Sequence, residues 1–223
     1  KERLPIKFFA KREVDNLRVE AGGSSELPKW IPDEKTIVRK SESFTATIES
    51  FKQKVLKKEK SNSLIPVVFK TKIIDDAIAK THRKEVSNLF RSGTKNNVLG
   101  FAGEDELIIK LEGSKETEEV IQKMKNTEKF AYALSCIDSI GEFKPLIDKV
   151  EKNKVDYKVR LINFQNFEQN TSIRRYFEKS ITELGLQIEK TNYTPDHIIY
   201  NIKSVSQDAL HMISTNEDRK SVV

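Results

Sequence analysis

The sequence predicts an α+β protein in which two tandem units of strands and helices follow an extended arm and a long helix. Two observations predict this class. Segments with the alternating pattern of strands are interleaved with segments of helical spacing from Leu64 onward. The same order of elements then occurs again in the second half. The predicted parts are the arm and helix over residues 1–60, a first unit over residues 61–150 and a second unit over residues 151–223.

The composition is that of a folded protein with a mixed surface. Only 8 Gly and 6 Pro are present, which excludes a low-complexity chain. The 40 basic and 34 acidic residues are interspersed, whereas a nucleic-acid binder typically concentrates its basic residues in one stripe. The single cysteine, Cys136, cannot form an intrachain disulfide, and no apolar run reaches the ~18–20 residues that span a bilayer. We therefore expect a cytoplasmic protein without a membrane segment.

The first 32 residues form a loop-rich arm with the short apolar anchors "LPIKFF" and "LPKW". We expect the ring of Trp30 to hold this arm against the body of the protein. Asp33 is well placed to cap a helix that runs to about Lys60. One face of that helix is apolar, with residues at helical spacing: Phe44, Ile48, Phe51 and Val55.

The first unit begins with the strand "LIPVVFKTK", where Pro66 predicts a sheet edge or the start of the strand. Helical segments follow in "IDDAIAKTHRKEVSNLF", and "NNVLGFAG" and "DELIIKLEG" are predicted to pair across a turn. Ser114 is predicted to cap a helix that buries Val120, Ile121 and Met124. "FAYALSCIDSI" is predicted as the closing strand.

The second unit repeats this order. "DYKVRLINF" is a strand, and Asn170 or Thr171 caps a helix that Gly185 ends. "LQIEKTNY" and "HIIYNIK" form an antiparallel pair, and Ser204 with Gln207 is predicted as a capping box for the last helix. Strand, helix, strand, strand, helix, with a closing strand in the first unit, is the order of ferredoxin-like domains.

No catalytic, metal or cofactor site is predicted. The three histidines, His82, His197 and His211, lie in no local catalytic motif. Cysteine and histidine do not occur at zinc-binding spacing, and no glycine-rich loop carries the lysine of a phosphate-binding site. The chain is therefore expected to bind a partner rather than to act as an enzyme.

One partner class is a nucleic acid bound on an RNA-recognition-like sheet. Such a sheet needs exposed aromatic residues on its central strands. "VLGFAGEDELII" resembles that stretch only faintly, since Glu104, Asp105 and Glu106 would repel phosphate and Phe101 is predicted as a core or hairpin residue. Nucleic acid stays the alternative and is not the expected partner.

The other partner class is a protease. The second unit, ending in "MISTNEDRKSVV", resembles the inhibitor-like propeptide of subtilisin-type serine proteases. The resemblance implies that Val222 and Val223 begin a last strand, that the chain is part of a longer protein, and that a serine endopeptidase domain follows and is bound in cis. No cofactor is implied.

Several further segments are similar to the N-terminal region of large bacterial subtilisin-like peptidases implicated in anti-phage defence with a partner ATPase. They are "LPIKFF", "VEAGGS", "LPKW", "AKTHRKEVSNLF" and "LSCIDSI", so this similarity spans nearly the whole chain. Lys84 stands where the pattern has a proline, and the preceding His82 and Arg83 are given no role. The ATPase is a further partner that the resemblance implies.

The predicted protease-binding surface is the exposed face of the second sheet together with the tail. Which strand parity faces outward stays open, and Ile199 packing beneath the helices is the alternative. The first unit and the long helix are expected to form a regulatory platform. The predicted surface comprises Lys158, Arg160, Ile162, Ile199, Tyr200, Ser221, Val222 and Val223.

Overall fold

The computed structural model describes residues 28, 30–78, 80–101, 105–143, 154–194 and 197–215. Within these ranges the chain forms six α-helices and two antiparallel sheets, which confirms the α+β class. The helices are α1 Glu34–Lys60, α2 Lys80–Phe90, α3 Ser114–Lys125, α4 Thr127–Cys136, α5 Phe167–Glu183 and α6 Gln207–Thr215. The strands are β1 Val67–Ile73, β2 Val98–Phe101, β3 Glu106–Leu111, β4 Ile137–Glu142, β5 Lys154–Arg160, β6 Ile188–Thr194 and β7 His197–Ser206.

The long helix α1 begins and packs as predicted. The Asp33 carboxylate accepts a hydrogen bond from the Thr36 N–H at 3.1 Å, which satisfies one of the free donors at the helix start. The predicted apolar face is buried and belongs to the core of the first unit. The helix therefore lies in the helical layer of the first unit. Trp30, just before it, packs against this core, with its ring centroid 5.5 Å from that of His82.

The first sheet has the strand order β2-β3-β1-β4, which is compatible with a ferredoxin-like unit. Strand β1 lies between β3 and β4, so Pro66 marks the start of a strand, and its prediction as an edge is wrong. Alternate residues of β1 and β3 point toward the helices. Their buried members are Val67, Phe69, Thr71, Ile73, Leu107, Ile109 and Leu111.

The closing strand is shorter than predicted. "FAYALSC" is part of helix α4, and β4 starts only at Ile137. The Asn126 side chain caps α4 by accepting from the Lys129 N–H at 3.1 Å. At the other end, the Lys40 ammonium of α1 donates to the Ile137 carbonyl at 2.7 Å and to the Ser135 carbonyl at 3.4 Å, where the helix gives way to the strand. A short apolar run does not distinguish a buried helix from a strand, which explains the error.

Three predicted helix caps are wrong by a few residues. Gly113 is the cap of α3, and the Ser114 N–H donates to the Glu59 carboxylate of α1 at 2.7 Å. Asn166 caps α5 in place of Asn170 or Thr171. The Ser206 hydroxyl accepts from the Ala209 N–H at the start of α6, a role predicted for Ser204.

The second unit has a three-stranded sheet in the order β5-β7-β6, with α5 and α6 packed on one face. Gly185, with φ of +67°, follows α5 in the left-handed conformation, as predicted. The core between sheet and helices is made of Val159, Phe177, Ile181, Tyr200, Ile202, Val205, Ala209 and Ile213.

The two units contact each other through the outer face of the first sheet. We call this contact the interunit cluster, and it consists of Ile65, Ile108, Phe143, Ile162, Phe164 and Ile173. The first sheet is therefore covered on both faces, by its own helices and by the second unit. None of the described helices is both long and apolar enough to cross a membrane.

Candidate protein-interaction surface

In the described part of the second sheet, β5 and β6 are the edge strands, and β5 adjoins the predicted surface. Strand β5 pairs antiparallel with β7 from Lys154 to Arg160, and no described strand pairs with its other side. In the first unit the equivalent side of β1 is occupied by β4. Unpaired N–H and C=O groups along a sheet edge can hydrogen-bond an added strand. Among the described residues, this side of β5 is therefore a position at which an extended segment can pair.

The outer face of the second sheet adjoins this edge and carries three of the predicted residues. The register pairs Arg160 with Ile199 and Lys158 with Asn201, and it places Val159 opposite the buried Tyr200. Arg160 and Lys158 therefore point away from the helices, and both are exposed. Ile199 shares that face and is half-buried. The alternative in which Ile199 packs beneath the helices is wrong.

Tyr200 does not lie on the outer face, which corrects its prediction. Its side chain is fully buried, its ring lies edge-on to Phe177 with centroids 4.9 Å apart, and its hydroxyl donates to the Glu178 carboxylate at 2.9 Å. Burial, and then the neighbouring Glu178, raise the pKa of the Tyr200 phenol well above its usual range. Tyr200 is thus a core residue with a satisfied polar end.

Ile162 is also misplaced by the prediction. It follows β5, turns away from the second sheet and is 7% exposed within the interunit cluster. Strand β5 ends at Arg160, so the alternation of a strand does not determine which way the Ile162 side chain points. Ser221, Val222 and Val223 lie outside the described residues.

The outer face is polar and carries both charges. The Lys203 ammonium contacts the Glu189 carboxylate at 2.8 Å, and the Asn201 amide donates to the Thr191 hydroxyl at 3.5 Å. Glu189 pairs in register with Asn201, and Thr191 with Ile199. A surface of this kind suits a protein partner with complementary charges, because it offers specific polar contacts around one apolar residue.

Among the described residues, no group of three or more His, Cys, Asp or Glu could hold a metal ion. Burial raises the pKa of the Cys136 thiol to about 12, so it is not a thiolate near neutral pH. The His82 ring on α2 contacts the Tyr132 hydroxyl on α4 at 2.5 Å, so it lies among the helices of the first unit. His211 is exposed on α6.

The geometry disfavours an RNA-recognition-like platform on the first sheet. The face that would bind bases carries Val68, Ile108 and Lys110, and it is occupied by the second unit. Phe101, predicted as a core or hairpin residue, lies on the edge strand β2 with the Arg83 guanidinium 4.9 Å from its ring centroid. Since it is 38% exposed, it is a partly covered edge residue.

The interunit cluster was not predicted from the sequence. One signal was present in "LIIKL" of β3, where apolar residues occupy both parities of the strand. Such a run indicates a strand buried on both faces.

No protein-family model matches the chain, and no curated protein matches it either.

Proposed function

We propose that this chain is the non-catalytic inhibitory and folding-assisting region of a subtilisin-like serine protease, and that its second unit binds the protease domain of the same parent protein. The observation that supports this most is the open edge of β5, on a sheet whose helices all lie on one face. A one-sided sheet with a free edge leaves both a face and a strand position for a partner.

The binding would combine two contacts. The outer face of the second sheet, with Lys158, Arg160 and Ile199, packs on the protease surface, and an extended segment at the β5 edge adds backbone hydrogen bonds. A specific interface of this kind buries at least about 1,000 Å² in total. Because the region binds the folded protease and not its unfolded chain, it stabilises the enzyme while blocking it.

The narrower proposal places the parent protein among the anti-phage peptidases that act with a partner ATPase. In that setting the first unit and α1 form the regulatory platform, and the ATPase supplies or transmits the trigger. The extent of the first unit is consistent with this, since a propeptide of minimal size needs only the second unit.

The test is inhibition in trans. The parent gene is sequenced beyond the codon for residue 223, the downstream domain is produced, and its hydrolysis of a fluorogenic peptide is measured with increasing amounts of the 223-residue chain. We expect stoichiometric inhibition. A parent gene without a serine hydrolase domain, or a hydrolase that the chain leaves fully active, contradicts the proposal.

A matched pair of variants locates the surface. Lys158→Glu with Arg160→Glu reverses two charges on the outer face, while Lys179→Glu with Arg175→Glu reverses two exposed charges on α5. We expect the first pair to weaken inhibition about tenfold or more and the second pair to leave it within about twofold, since charge complementarity acts at the contact. Equal effects would place the interface elsewhere.

A further inference from the structure

A buried lysine joins the two units. Lys110 projects from the outer face of β3 and is only 7% exposed. Its ammonium donates to the Phe164 carbonyl at 2.9 Å and to the Gln169 side chain at 3.3 Å, both in the second unit. It also contacts the Glu112 carboxylate of its own unit at 2.6 Å. A buried ammonium needs this full set of acceptors, so separating the units would leave it short of partners.

The segment that Lys110 contacts has a fixed shape. The Asn170 side chain accepts from the Phe164 N–H at 2.8 Å and donates to the Asn163 side chain at 2.9 Å. The same Asn163 oxygen accepts from the N–H of Gln165 at 2.8 Å, and Gln165 has the unusual φ of +56°. This network presents the Phe164 ring and carbonyl to the first sheet, where the ring is fully buried.

Leu161 connects this segment with the second core. It packs against both the interunit cluster and the core of the second unit. It also follows directly after Arg160, the last residue of β5. Leu161 is therefore a residue that contacts both hydrophobic clusters and lies next to the end of β5.

We propose that the first sheet clamps residues 161–169 and thereby sets the order of β5, so that the first unit controls whether the open edge can accept a strand. The coupling between interface and strand stands on the contacts above. Its regulatory meaning rests on the proposed function, since only a partner at the β5 edge would respond to it.

The coupling is tested by hydrogen–deuterium exchange on the full chain. Lys110→Met removes the ammonium and keeps an apolar side chain, while Lys72→Met removes a half-exposed lysine that lies 3.5 Å from Asp105 on the same sheet. For Lys110→Met we expect the paired amides of β5 and β7 to exchange about tenfold faster, with a smaller change in β1 and β3, because a buried charged hydrogen bond lost at the interface favours local opening. Lys72→Met should change neither set appreciably.

A second variant with a milder change controls for global unfolding of the chain. Phe164→Leu keeps an apolar side chain at the interface and should raise exchange in β5 in the same direction with a smaller amplitude. Unchanged exchange in β5 in both variants, or an equal rise in both sheets, overturns the coupling. If exchange responds as expected but the wild-type chain does not inhibit the protease, the proposed function fails and the coupling stands. If inhibition is intact and exchange does not respond, only the coupling fails.

Discussion

The two units share one order of elements but differ in what is left uncovered. In the first unit, β4 fills the outer side of β1, helices cover one face of the sheet, and the second unit covers the other. In the second unit, the described strands leave β5 open on one side, and only one face carries helices. Within the described residues the position beside the first strand is therefore filled in one unit and unfilled in the other, and we propose that the unit with the unfilled position carries the binding role.

Phe164→Ala should have the largest effect on the contact between the two units, because it removes the aromatic ring that packs between the first sheet and the second unit. Phe164 is fully buried in the interunit cluster, and such truncations cost about 3–5 kcal/mol. We expect urea unfolding of the full chain to show this loss, with the second unit unfolding first. As a control, Phe167→Ala on α5 removes a ring that is 78% exposed and should change stability by less than about 0.5 kcal/mol. Equal effects at the two positions would mean that the interface contributes little.

Acid should weaken the same interface. Burial raises the pKa of Glu112, but hydrogen bonds from Lys110, Gln169 and Lys95 outweigh it and lower the pKa from 4.5 to about 2. A carboxyl whose pKa falls on folding stabilises the folded state fully above its unfolded pKa of 4.5 and loses that contribution as the pH falls toward 2. The difference in unfolding free energy between wild type and Glu112→Gln should therefore be largest near neutral pH and shrink below pH 4.5.

A surface ion pair provides the control for Glu112. Glu189 contacts Lys203 on the outer face of the second sheet, with its side chain 64% exposed. Glu189→Gln should change stability by less than about 1 kcal/mol at any pH, because exposed pairs are screened by solvent. A pH dependence of Glu112→Gln no larger than that of Glu189→Gln would contradict the assigned role of Glu112 at the interface.

Tyr200→Phe tests whether the helix-facing side of the second sheet is a hydrophobic core and not a binding surface. The change removes the hydroxyl that donates to Glu178 and keeps the ring against Phe177. Lys190 still contacts Glu178 at 2.8 Å, so the carboxylate keeps a partner. We expect a loss of about 1 kcal/mol in urea unfolding and no change in protease inhibition. If a fully folded variant inhibits the protease less strongly, Tyr200 is part of the binding surface and its assignment to the core alone is wrong.

The order of elements was predictable because it depends on local patterns, and the errors arose where several residues could play one role. Near the start of α5, Asn166, Asn170 and Thr171 can all cap a helix, but Asn170 is engaged by the loop network around Phe164. In "HIIYNIK" both parities carry apolar residues, so only the pairing of Tyr200 with Val159 determines the inner face. Tertiary contacts, and not the local sequence pattern, therefore determine which residue caps the helix and which face of the strand is buried.

The contact between the units had only one signal in the sequence, the apolar run of β3, and its polar contacts could not be predicted for a related reason. Lys110 is a lysine in an apolar strand, and such a residue alone predicts a solvent-exposed face. Its burial depends on acceptors at Phe164 and Gln169, more than fifty positions along the chain. The open edge of β5 was predictable only in part, since the predicted closing strand of the second unit falls on residues outside the described part of the chain.

The smallest expected effect concerns His82 in the first unit. Burial lowers the pKa of His82 below its ordinary value of 6.5. The folded state then binds fewer protons than the unfolded state just below pH 6.5, so His82 contributes stability above that pH and loses it as the pH falls through its folded pKa.

Trp30 is the only tryptophan in the sequence, and its ring lies 5.5 Å from that of His82, so its fluorescence reports this titration directly. We expect a Trp30 titration with a midpoint below 6.5 that disappears in His82→Gln and persists in His211→Gln, whose histidine is exposed in the second unit. A midpoint at or above 6.5 would show that His82 is not held in its neutral form by the packing of Trp30 and Tyr132.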